Sequence, residues 1–85
     1  MHELSIVNNL LKILEKVCKE NKVKKVLKIN LKINPFSCLD EENLNFIFSS
    51  ITKENQIYKD AKIEIKRALK PSEREYIIEN IEIEV

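Results

Sequence analysis

The chain contains no glycine in 85 residues. That absence excludes the two common phosphate cradles, G-x-x-x-x-G-K-[ST] and G-x-G-x-x-G, because both use glycine to bring backbone close to phosphate. Turns must instead be built from Asn, Asp, Pro and Ser. Tryptophan is also missing, and histidine occurs once, at His2. The two cysteines, Cys18 and Cys38, stand far apart and form no C-x-x-C pair. Two cysteines and one distant histidine do not complete a tetrahedral zinc site. Cys18 falls on an apolar helix stripe and is expected to be a reduced core residue, whereas Cys38 falls in a turn. No apolar run approaches the roughly 20 residues that span a bilayer. The start lacks the basic and apolar regions of a secretory signal, so a cytoplasmic protein without a membrane role is expected. Charge of one sign is also lacking: 15 Lys and Arg offset 14 Asp and Glu, for a formal net charge of +1. Such balance argues against a dedicated nucleic-acid binder. His2 has no nucleophile or acid partner visible in the sequence, and the carboxylates fall at caps and solvent faces, so an enzyme is not expected.

What is present reads as one small domain over residues 1–85. The chain is 44% hydrophobic and 34% charged, too apolar for disorder. Ile6, Val7, Leu10, Leu11, Leu14, Val17 and Cys18 recur with helical spacing, which predicts a helix over about Glu3–Glu20 with Asn21 as its stop. In "KVLKINLKIN", Leu27, Ile29, Leu31 and Ile33 alternate with Lys28, Asn30 and Lys32, a strand with one buried face that ends at Pro35. Asp40 is placed to cap a second helix. Glu41 and Glu42 fill its first turn, and Leu39 and Leu44 stand at the positions of a hydrophobic staple. Its predicted buried stripe is Leu44, Ile47, Phe48 and Ile51, and it should end near Thr52–Glu54. Phe46 lies off that stripe and is expected to be exposed. "AKIEIKR" and "IIENIEIEV" alternate again, with Ala61, Ile63 and Ile65, then Ile81, Ile83 and Val85, facing inward. The expected fold is α/β: a two-layer sandwich with two helices on one face of a three-stranded mixed sheet, in the order α-β-α-β-β. The β-α-β unit should place its strands in parallel through a right-handed crossover. The short loop around Pro71 should let the last two strands run antiparallel. On the polar face, Lys28 and Lys32 on one strand can meet Glu82 and Glu84 on another as solvated ion pairs worth about 0.2–1 kcal/mol each.

The opening "MHELSIV" sets the single imidazole beside the α-amino group. Met1 is expected to be retained before the bulky His2. Its amine, the His2 amide and the His2 imidazole then lie within chelating reach by covalent geometry, and the Glu3 amide can join the same plane. Nitrogen sets of this kind suit square-planar Ni(II) or Cu(II). An amine with pKa about 8 and an imidazole near 6.5 release protons readily to a metal. The first N–H groups of a helix have no intrahelical partner, so metallating them breaks no helix bond. The positive end of the helix dipole opposes a cation, and the Glu3 carboxylate can offset it.

"MHELSIV" followed by a leucine-rich helix resembles the HypA family of nickel metallochaperones. The likeness continues through "VLKINLKI", "SCLDEENLNFIF", "DAKIEI" and "NIEIEV", in order and over nearly the whole chain. The resemblance implies a nickel-binding metallochaperone that delivers Ni(II) during maturation of [NiFe]-hydrogenase, and of urease in some bacteria. It implies Met1, His2 and Glu3 as metal ligands: the Met1 amine, the His2 imidazole and amide, and the Glu3 amide or side chain. An acidic residue at the Asp40 position has been linked to nickel in some members, although a helix cap explains Asp40 without metal. A HypB-like GTPase or other hydrogenase maturation proteins are the implied partners, and a homodimer is compatible with the resemblance. The chain departs from the family pattern in two places. The zinc-binding insertion with two C-x-x-C pairs is absent near 68–75, where "RALKPSEREY" bridges the gap, so no zinc site is expected. The usual Gly-Glu pair after the first strand is replaced by Asn34 and Pro35. A second reading stays open: an interaction or regulatory module that keeps the HypA scaffold and no longer transfers nickel.

Overall fold

A computed structural model describes residues 2–85 of the chain, His2 by its backbone alone. Its elements are α1 (His2–Asn21), β1 (Lys25–Ile33), α2 (Glu41–Thr52), β2 (Lys62–Arg67) and β3 (Tyr76–Glu84). The order α-β-α-β-β and the mixed three-stranded sheet agree with the sequence reading. The strand order is β2-β1-β3, with β2 parallel and β3 antiparallel to the central β1. The last two strands therefore run in opposite directions without pairing, and the connector between them passes the end of β1.

The core forms where the apolar stripes of the helices meet the inner face of the sheet. Ile6, Val7, Leu10 and Leu14 of α1 and Leu44 and Phe48 of α2 pack with Val26, Ile29, Leu31, Ile33 and Ile63. Each fully buried aliphatic side chain contributes about 1.5–3 kcal/mol by leaving water. Leu39 is buried as well, as a staple residue should be. Cys18 is a free thiol at the margin of the core, and Cys38 is free and exposed. With no glycine available, α1 ends on Lys22 in the left-handed region at φ 52°. The Asn21 side chain donates to the Val17 carbonyl at 2.8 Å, closing the last turn.

Four details differ from the sequence reading. Val85, expected to face inward, lies past the end of β3 and is 72% exposed. Leu27 does not face the core and is 42% exposed, while Val26 is sealed. A register shift between Val26 and Lys28 makes Leu27 the extra residue of a bulge, which reverses the alternation before it. Ile51 is exposed, and Thr52 is buried in its place, its hydroxyl donating to the Phe48 carbonyl at 2.8 Å. The core-facing ridge of α2 follows the i, i+4 row through Leu44, Phe48 and Thr52. Lys28 pairs with Glu64 at 2.9 Å, across β2 and not across β3. The Glu64 hydrogen bond and charge hold the Lys28 pKa above its ordinary value, with Glu82 adding a smaller effect. Lys32 instead lies 3.7 Å from Glu79.

Side-chain amides close the irregular segments. The Asn34 amide donates to the Ser72 and Arg74 carbonyls at 3.1 and 2.6 Å, and its oxygen accepts from the Ser72 N–H at 2.9 Å. Arg67 reaches back to the Pro35 and Ser37 carbonyls, both at 3.0 Å. Together they fasten the β2–β3 connector to the turn after β1. Asn34→Ala strips these partners and is expected to lower stability by about 1–3 kcal/mol, read as a lower urea midpoint.

Tyr58 packs against Phe48 with ring centroids 6.5 Å apart. Burial pushes its phenol up to about 12, with Cys18 and Glu15 adding to the shift. The unfolded chain releases that proton near the ordinary value of 10. The stability that depends on a neutral Tyr58 is therefore complete below pH 10 and is lost as pH climbs toward about 12. A urea midpoint that declines over this range, with a smaller decline in Tyr58→Phe, checks the assignment.

Candidate metal centre

The starts of the two helices lie side by side, and Glu3 joins them. One Glu3 carboxylate oxygen accepts from the Asp40 backbone N–H at 3.0 Å, and the other accepts from the Asn43 side-chain amide. Asp40 in turn caps α2: its Oδ2 accepts from the Asn43 N–H at 3.0 Å, with the backbone extended at φ −112° and ψ 121°. The cap expected from sequence is therefore present. The Glu3 carboxylate has a structural task, holding α1 to α2 across 37 and 40 residues of chain.

The Glu3 backbone nitrogen is placed differently from its side chain. Glu3 lies in the first turn of α1, where helix geometry supplies no i−4 carbonyl for an N–H. The two dipole ends are met by Glu3, Asp40, Glu41 and Glu42, which makes this end of the molecule acidic. An open cleft of about 730 Å³ starts at Asp40 and runs between α2 and β2, lined in part by Glu41, Phe46, Ile63 and Glu64. Phe46 projects at its rim, 69% exposed as expected from its place off the stripe.

Of the three ligands read from sequence, Met1 and the His2 imidazole lie outside the described residues, and Glu3 is in place in the first turn of α1. Among the described residues, no group of three or more His, Cys, Asp or Glu side chains is gathered to hold a metal ion. Sequence reasoning missed Asn43 as the partner of Glu3. The two are distant in sequence, and no local pattern announces that pairing. No helix among the described residues is long and apolar enough to cross a membrane.

A two-layer α/β domain with the start of its first helix locked against an acidic helix cap defines the structural class. The family model for "Hydrogenase/urease nickel incorporation, metallochaperone, hypA" matches residues 1–72. The HypA hydrogenase maturation factor of Methanococcus aeolicus is 43% identical over 75 residues, covering 84% of this chain and 59% of the relative. That of Moorella thermoacetica is 35% identical over 66 residues, covering 78% and 58%. That of Actinobacillus succinogenes is 37% identical over 54 residues, covering 64% and 48%. The solution structure of the Ni metallochaperone HypA from Helicobacter pylori superposes with a TM-score of 0.74 at 20% identity, covering 95% of this chain and 96% of that one, a likeness of fold. This chain belongs to the HypA family. It spans about half the length of the curated relatives it matches. The matched stretch ends at residue 72, inside the connector between β2 and β3.

The Glu3 bridge carries a direct test. Glu3→Ala removes a charged acceptor from both the Asp40 N–H and the Asn43 amide, at a half-exposed site. A loss of about 1 kcal/mol, measured by urea unfolding, is the expected outcome.

Proposed function

We propose that this chain is a single HypA-like domain that binds Ni(II) at its start and hands it on during maturation of [NiFe]-hydrogenase. The observation that carries the reading is the family match, which begins at residue 1 and so includes Met-His-Glu. Met1 supplies its α-amine, His2 its imidazole and amide, and Glu3 its backbone amide. The structure supports one choice within this set. The Glu3 carboxylate is engaged by Asp40 and Asn43, which leaves the backbone nitrogen as the donor that Glu3 can offer without loosening α2. The surrounding carboxylates oppose the positive ends of the helix dipoles and lower the cost of bringing a divalent cation there.

Nickel is cargo in this scheme, and the chain is a carrier and not a catalyst. Loading releases protons from the amine, the imidazole and the amides, so affinity should rise with pH across the neutral range. A ligand set at the extreme start of a chain is open to attack by an incoming donor, which suits transfer to a second protein. The chemistry fits a HypB-like GTPase or another maturation protein as recipient, in the cytoplasm. No zinc is needed by this reading, because the insertion that carries the zinc site in the family is absent near 68–75.

Titration of the untagged chain with Ni(II), followed by calorimetry and visible d–d absorption, should show one equivalent bound in a square-planar site. His2→Ala should abolish it, and one extra residue before Met1 should do the same by displacing the amine. Glu3→Ala should keep the stoichiometry, since its amide remains. Binding that survives both His2→Ala and the added residue would sink the proposal.

A further inference from the structure

The two edges of the sheet are treated differently. On β2, the Asn45 side chain sits on the free edge like a single paired residue: its amide donates to the Ile63 carbonyl and its oxygen accepts from the Ile63 N–H, both at 2.8 Å. That clamp from α2 blocks the start of β2 to another strand. On the other side, β3 is hydrogen-bonded to β1 alone and runs for nine residues. Its inward side chains Tyr76, Ile78, Ile81 and Ile83 touch the core but remain half-exposed, and none of the strand is fully buried. An open groove lies between α1 and the start of this strand, with Asn9 and Ile13 on one wall and Tyr76 and Ile78 on the other. Asn9 donates to the Tyr76 hydroxyl across it at 2.7 Å.

The opposite face of β3 is acidic, with Glu79, Glu82 and Glu84. On its inner neighbour, Lys25 stands opposite Glu84 and Lys28 opposite Glu82, but their amines pair with Asp60 and Glu64, at 3.2 and 2.9 Å. Lys32 lies 3.7 Å from Glu79, and Glu82 accepts from the Asn30 amide at 3.4 Å. Side chains on a strand are flanked by both neighbours, so the same glutamates face the vacant side. A second copy of β3 is the wrong occupant. Antiparallel self-pairing would set isoleucine on isoleucine but bring Glu82 and Glu84 against their own kind, and like charges across strands are unfavourable.

We propose that the outer edge of β3 receives an extended segment of a partner protein, as a fourth strand whose apolar side chains alternate with lysine or arginine. Main-chain hydrogen bonds to the vacant edge supply affinity. The apolar side chains cover Ile78, Ile81 and Ile83, and the basic ones meet Glu82 and Glu84. The surface stands on the side of the sheet away from the Asn45 clamp, and this inference does not depend on the nickel reading.

The test uses the whole chain and a capped nonapeptide, KVLKINLKI, which copies β1 and so carries the required alternation. Binding should shift and protect backbone amides of Tyr76–Glu84 in NMR and hydrogen exchange, and should weaken as salt rises. The same peptide with its three lysines changed to glutamate should not bind. The double variant Glu82→Lys/Glu84→Lys should bind the basic peptide about tenfold more weakly and gain binding of the acidic one, a rescue that a misfolded variant cannot show. The proposal is overturned if neither peptide binds, if both bind alike, or if shifts centre on β2 or spread through the core. Protection of β3 that grows with protein concentration in the absence of peptide would overturn it too, by showing self-pairing.

Discussion

Val26, Ile29, Leu31 and Ile33 of β1 are sealed from water, and both outer strands take their register from that strand. The helices have nowhere else to place their apolar stripes, because the other face of the sheet carries Lys28, Lys32, Glu64 and Glu82. A single buried strand therefore sets the layering, and each departure from regularity is an adjustment to it. The bulge at Leu27 keeps Val26 inward, and the register shift beside Asn30 keeps both Ile78 and Ile81 on the core face of β3. A slip without these bulges would turn isoleucines to solvent and glutamates to the core.

A chain without glycine must close its turns by other means, and asparagine does most of this here. Asn34 ties down the connector after β2, Asn45 clamps the edge of β2, and Asn55 accepts from the N–H groups of Ile57 and Tyr58 at 2.8 and 3.1 Å. An asparagine side chain carries the same donor and acceptor as a peptide group, so it can stand in for a missing backbone partner. Asn34, just after β1, is bonded to the connector between β2 and β3. The turn after β1 and that connector are thus joined physically, through three hydrogen bonds at one side chain.

At the candidate metal centre the same division of labour separates the two ends of one residue. The Glu3 side chain is committed to α2, and its backbone nitrogen lies in the open first turn of α1. Glu3 is thereby anchored beside an acidic helix cap by its side chain alone. The carrier role proposed above asks for that combination, since a carrier has to hold its cargo in a defined place and still release it.

The parts of this protein governed by neighbours within a few residues were legible in the sequence. The helix stripes, the Asp40 cap, the staple leucines and the alternation within β2 all depend on spacing along one element, and periodicity records spacing. The Met-His-Glu opening is likewise a local pattern, its proposed donors adjacent by covalent connection. Only the tertiary structure decided that β1 is central, that Leu27 bulges outward, that Thr52 displaces Ile51 from the core, that Lys28 chooses Glu64 over Glu82, and that Glu3 reaches Asp40 and Asn43. Each of those outcomes depends on which segments, distant in sequence, come to lie against one another. Competition between alternative partners is resolved by packing in three dimensions, and a linear pattern of residue types carries no term for it.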